Sequence, residues 1–110
     1  MYIGQIAIRL GGIDYNSPTF PRGGLAGLFS IEIFDLTGSS PTLECDIEHK
    51  NEEDVTFSVA ASFSSMSTAA VHTKDVTGLK EQVRLVYRVG GSAAMNTAYF
   101  HTAEPSWRPY

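Results

Sequence analysis

Val55-Thr56-Phe57-Ser58-Val59-Ala60-Ala61-Ser62-Phe63 alternates with period 2, placing Val55, Phe57, Val59, Ala61 and Phe63 on one side of an extended chain and Thr56, Ser58, Ala60 and Ser62 on the other. Successive side chains of a strand point to opposite faces, so the pattern reads as a half-buried strand with an apolar inner face and a hydroxyl-rich outer one. Residues 81–89 repeat it, with Val83, Leu85, Tyr87 and Val89 inward and Gln82, Arg84, Val86 and Arg88 outward. Residues 42–49 do the same, with Leu43, Cys45 and Ile47 inward against Thr42, Glu44, Asp46 and Glu48. No segment sustains a 3.6-residue period, so the expected sheet is antiparallel with one face in the core.

Four more strands are expected at 2–10, 28–36, 69–76 and 94–101. Turn chemistry separates them, including Gly11-Gly12, Thr37-Gly38-Ser39-Ser40-Pro41, Thr77-Gly78 and Gly90-Gly91-Ser92. About seven to eight short strands at this spacing predict a single all-β domain over 1–110, an antiparallel β-sandwich of Ig-like or jelly-roll type. A true immunoglobulin domain is excluded because the paired cysteines and the core Trp are missing. Residues 11–24, with two prolines and four glycines, read as an extended N-terminal loop or arm, and 102–110, with Pro105 and Pro109, as a C-terminal tail.

The chain has 110 residues, of which 8 are Lys or Arg and 12 are Asp or Glu. Those 20 charged side chains are matched by 11 Ser and 9 Thr, so hydroxyls supply much of the polar surface. A net charge of −4 disfavours a phosphate-binding stripe, and nucleic acid is not an expected partner. No stretch approaches the roughly 18 apolar residues of a membrane span, and Arg9 interrupts the N-terminal apolar run where a signal peptide would be most apolar. Cys45 is the single cysteine, which rules out an intrachain disulfide and a paired-Cys zinc site.

Catalysis finds no constellation. The acids Glu44, Asp46, Glu48, Glu52, Glu53 and Asp54 form a row rather than a calcium loop, and Arg84 and Arg88 pair with them if their strands are neighbours. His49, His72 and His101 fall on three separate strands without ligand spacing. No G-x-S-x-G elbow is present, Cys45 faces inward as an inert thiol, and Gly23-Gly24-Leu25-Ala26-Gly27 lacks the spacing of a phosphate loop. The reading is therefore non-enzymatic, with no cofactor and no metal.

Interaction is the better-supported class. The tail carries Trp107, the single Trp, with Arg108 and Tyr110, residue types enriched at interface hot spots. The competing expectation is that Trp107 folds back on its own sandwich as a plug. With Tyr15, Phe20 and Arg22 of the arm, these three make up the candidate protein-interface residues. Outer faces built of Ser, Thr and Ala cost little to desolvate, which suits a surface covered by neighbours. A carbohydrate- or receptor-binding module is the alternative, with Tyr87, Tyr99 or Trp107 as a stacking platform, although alternation turns Tyr87 inward.

Asp35-Leu36-Thr37-Gly38-Ser39-Ser40-Pro41-Thr42-Leu43, then Ile47-Glu48-His49-Lys50-Asn51 and Phe57, then Val76-Thr77-Gly78-Leu79-Lys80 with Val83-Arg84 and Val89-Gly90-Gly91, resemble a group of short β-sandwich virion structural proteins of tailed bacteriophages. The resemblance covers roughly residues 28–92 and rests on turn motifs. It implies a capsid decoration or cement protein made in the host cytoplasm and carried on the virion, bound to the major capsid protein or other virion proteins in multiple copies or as a homo-oligomer. A tail or connector component of the same particle is a further alternative. The group brings no enzymatic residues to carry over.

Overall fold

A computed structural model of the chain describes residues 2–9, 14–91 and 96–109. Ten strands follow one another: β1 (Tyr2–Arg9), β2 (Tyr15–Asn16), β3 (Phe20–Pro21), β4 (Ala26–Thr37), β5 (Thr42–Lys50), β6 (Ser58–Met66), β7 (Val71–Val76), β8 (Gln82–Gly90), β9 (Thr97–Ala103) and β10 (Ser106–Arg108). All pairings are antiparallel among the described residues. Two of the short strands are fragments of longer lines. β2 and β3 both pair with β8 and are parted at Ser17-Pro18-Thr19, while β9 and β10 both pair with β4 and are parted at Glu104-Pro105. Proline has no N–H to give to a ladder, which accounts for both breaks.

With those fragments joined, sheet I runs β1, β9/β10, β4, β7 and sheet II runs β2/β3, β8, β5, β6. Six of the seven connections between these eight lines cross from one sheet to the other, and only β5 to β6 stays within a sheet. Two four-stranded sheets woven in this way are a jelly roll, which decides between the two sandwich types expected. The sheets close on a core that includes Phe29, Ile31, Ile33, Leu43, Cys45, Ile47, Val83, Leu85, Tyr87, Val89 and Phe100. Across it, the Tyr87 hydroxyl of sheet II lies 3.1 Å from the Thr102 hydroxyl of sheet I.

Expected and observed strands coincide at seven places, with β9 lying at 97–103 rather than 94–101; residues 10, 94 and 95 of the expected strands lie outside the described ones. The facing of 55–63 needs correction. Ile47 pairs with Ala61 but Glu48 pairs with Val59, so Ala60 is an extra residue in β6 and the alternation flips there. Phe63 remains in the core, whereas Val59 is 54% exposed and Val55, ahead of the strand, is 93% exposed. Phe57 leaves the core as well and lies on the outer face of sheet II, its ring 4.1 Å from the Arg84 guanidinium and 5.3 Å from the Lys50 ammonium. A second extra residue lies between Phe63 and Met66, which pair with Cys45 and Leu43, and it returns Met66 to the core.

The arm and the tail are also corrected. Residues 14–24 are not a free arm, because β2 and β3 extend sheet II along β8. Residues 102–108 are not a free tail, because Thr102 and Ala103 end β9 and β10 zips onto Ala26–Leu28.

Candidate interaction surfaces

Of the six residues expected at an interface, five are placed and Tyr110 lies outside the described residues. Tyr15, Phe20 and Trp107 pack against the edge of the core. The Trp107 ring stands edge-on to Phe20 at 6.4 Å and to Phe29 at 6.0 Å, above Gly23, where a Cβ would come within 2.4 Å of the indole. The plug reading therefore describes Trp107. Arg22 donates to the Leu79 carbonyl, and the Arg108 Nη2 lies 2.8 Å from Asp75. Arm and tail thus meet at one corner, in an open cleft of about 440 Å³ whose walls include Arg22, Gly23, Leu25, Trp107 and Arg108.

The outer face of sheet II satisfies itself. Because β5 and β8 are neighbours, Glu44 stands opposite Arg88 and Glu48 opposite Arg84, and both pairs close, at 3.1 and 2.8 Å. Arg88 also bonds Asp14 at 2.7 Å, and that hydrogen bond holds the Asp14 carboxyl below its ordinary range. The Ser62 hydroxyl donates to Asp46 at 2.7 Å. Exposed pairs of this kind contribute little stability each, but they occupy the charges of the face.

Sheet I presents a different outer face. Leu28 and Phe34 of β4, Val71 of β7 and Tyr99 of β9 are exposed there, Phe34 at 48% and Tyr99 at 52%. Phe34 is the extra residue of a bulge, since Ile33 pairs with Phe100 and Asp35 with Tyr99. Its ring packs edge-on to His101 at 4.8 Å, and the His101 Nε2 lies 3.4 Å from Glu32. Large apolar side chains exposed on one face of a small domain are a feature that interaction sites share. Leu28 and Phe34 were readable as the outward members of 28–36, but the bulge that tips Phe34 toward His101 leaves no mark in the sequence.

Three of the four edge lines of these sheets, all but β1, make poor templates for a foreign strand. β2/β3 is interrupted by Pro18 and Pro21, β6 is bulged twice, and on β7 the residues in register with inward Phe29 and Ile31 are Lys74 and His72. Broken, bulged and inward-charged edges resist sheet-to-sheet fusion.

The remaining chemical candidates are accounted for by local partners. The Nδ1 of His49 accepts from the Lys80 N–H at 3.2 Å, and burial, then the Lys80 charge, lower its pKa below the ordinary imidazole value. The Nε2 of His72 lies 3.1 Å from the Thr68 carbonyl. Burial pushes the Cys45 thiol far up, as expected of an inward residue between Leu43 and Ile47. Among the described residues no three His, Cys, Asp or Glu side chains converge as metal ligands.

One polar residue escaped the sequence reading. Asn96 is fully buried, accepts from the Ser39 N–H at 2.8 Å, and donates to the Ser39 and Gly90 carbonyls at 3.0 and 3.1 Å. It clamps the β4–β5 turn to the end of β8, the two places where the Thr37-Gly38-Ser39-Ser40-Pro41 and Val89-Gly90-Gly91 motifs stand. Gly38 and Gly91, at φ +125° and +121°, have no room for a Cβ against this side chain. Comparison with family models, curated proteins and solved structures finds no match to the chain.

Proposed function

We propose that this chain is a non-enzymatic structural protein of a tailed-phage virion, a decoration or cement protein that lies with the outer face of sheet I against the capsid shell. The observation that carries this reading is the contrast between the two outer faces: ion pairs run across sheet II, where Val59 is the single large apolar side chain exposed on a strand among the described residues, while Leu28, Phe34, Val71 and Tyr99 stand exposed on sheet I. The turn motifs of 28–92 add the family resemblance, and the guarding of three of the four edges suits copies crowded together without merging. Five of the residues first assigned to an interface serve intramolecular packing or bonding, so the face supersedes arm and tail as the proposed contact.

Titration of the protein onto empty shells tests this. Binding that saturates at a fixed ratio, and that Phe34→Ser with Tyr99→Ser weakens about a hundredfold without lowering the melting temperature, is the expected result, since central aromatic contacts carry most interface energy. A glycan-binding module keeps support only from Tyr99, because Tyr87 is 0% exposed and Trp107 is packed between Phe20 and Phe29. Binding to a glycan array with no binding to shells would replace the shell reading by that one.

A further inference from the structure

The end of the sandwich that holds the arm–tail cleft also carries its complement. The cleft is lined by Arg22 and Arg108 beside Leu25 and Trp107, and no lining residue bears a carboxylate. Asp75 engages Arg108, whereas Arg22 meets no carboxylate among the described residues and gives one N–H to Leu79. In a chain of net charge −4, Arg22 is thus a positive charge at the cleft with no described carboxylate set against it. The β5–β6 loop, Asn51 to Phe57, projects Glu52, Glu53 and then Val55, which is exposed over 93% of its surface. Glu53 meets no cation among the described residues.

Cleft and loop are neighbours because both are tied to Glu81: its carbonyl accepts from the Arg22 N–H at 3.0 Å, and its carboxylate accepts from the Glu52 N–H at 2.9 Å. One patch therefore holds a basic, aromatic socket and an acidic, apolar knob. A patch complementary to itself is what a two-fold interface requires, because each copy supplies both halves.

We propose that this end of the sandwich pairs with a second copy of the same chain, Glu53 and Val55 of each copy entering the Arg22–Leu25–Trp107 cleft of the other. The pairing does not depend on the shell-binding role. Its strength is limited by size. A twelve-residue strand is about 40 Å long, which matches the longest extent of the molecule, so the end face spans no more than 27 × 21 Å. Two such faces bury about 1,000 Å² at most, the lower bound for a specific contact, so the dimer is transient and forms at high protein concentration.

Sedimentation velocity across a concentration series is the test, with five samples: wild type, Glu53→Arg, Val55→Asp, Arg22→Glu, and Arg22→Glu mixed with Glu53→Arg. The wild type is expected to sediment faster as concentration rises. Glu53→Arg and Val55→Asp change exposed loop side chains, so folding is retained while dimerisation weakens at least about tenfold, since each reversal acts twice in a two-fold contact. Arg22→Glu alone is also expected to stay monomeric. Its mixture with Glu53→Arg should recover the wild-type series, because both contacts of the mixed dimer again join opposite charges. A wild type that stays monomeric at millimolar concentration, or a dimer indifferent to Glu53→Arg and Val55→Asp, would overturn the pairing. Should Arg22→Glu fail to fold, the two loop variants still decide.

Discussion

Replacing Tyr87 by Phe removes one oxygen atom and keeps the ring that packs against Phe100 at 4.8 Å. The hydroxyl lost is the one facing Thr102 across the sandwich, and both residues are inaccessible to solvent, at 0% and 1%. Tyr87→Phe therefore leaves the Thr102 hydroxyl without a side-chain partner in the core, and Thr102→Val does the same to the Tyr87 hydroxyl. Stranding one buried polar group costs about 1–3 kcal/mol, so each single variant is expected to lose about 2 kcal/mol. The double variant puts apolar groups of the same shape on both sides, which is nearly neutral, so its loss should be below about 1 kcal/mol. The pair is then coupled by roughly 3 kcal/mol, well beyond the few tenths expected of independent sites. Equilibrium urea unfolding of the four proteins measures this, each single variant lowering the midpoint by about 1 M if the slope stays near 1.5–2 kcal/mol per molar. Single losses that add in the double variant would refute the reasoning, since they would mean that neither hydroxyl depends on the other.

Further outcomes follow from groups already described. Asn96→Asp exchanges two donated hydrogen bonds for a carboxylate facing the Ser39 and Gly90 carbonyls, and should lower stability by at least about 3 kcal/mol, read as a melting temperature more than about 10 °C below wild type. His49, with its pKa lowered in the folded state, contributes stability that is fully present above the unfolded imidazole pKa near 6.5 and is lost as pH falls below it; His49→Gln should flatten the stability–pH curve between pH 7 and 5. Cys45, buried and with its thiol pushed up, should react with a thiol reagent at neutral pH only as fast as the sandwich opens, and at full rate in denaturant.

The sheet-forming segments were legible because burial on one face imposes a period of 2, and Leu43, Cys45 and Ile47, or Val83, Leu85, Tyr87 and Val89, keep that period without interruption. The ion-pair row was legible for the same reason, since neighbouring strands put Glu44 and Glu48 opposite Arg88 and Arg84. Bulges were not. Ala60 breaks the period without altering composition, so Val59 and Phe57 look like core residues in sequence and lie outside it in space. Arm and tail misled because proline was read as ending pairing altogether, whereas Pro18 and Pro105 only interrupt lines that resume two or three residues later. Asn96 gave no signal because a clamp between two turns has no spacing of its own: its partners are 57 and 6 positions away.

The weave of the two sheets sets a time scale as well as a shape. Six crossings in seven connections mean that nearly every pairing joins strands far apart along the chain, and loops of that length must close before the contacts between them repay the entropy. Folding of this chain belongs in the slow range of small domains, milliseconds to seconds. The same entanglement acts in reverse. Each interior strand is paired on both sides and Asn96 joins two turns, so unfolding is expected to be slow as well. For a protein proposed to stay on a particle long after synthesis has ended, slow departure from the folded state matters more than depth of the free-energy minimum.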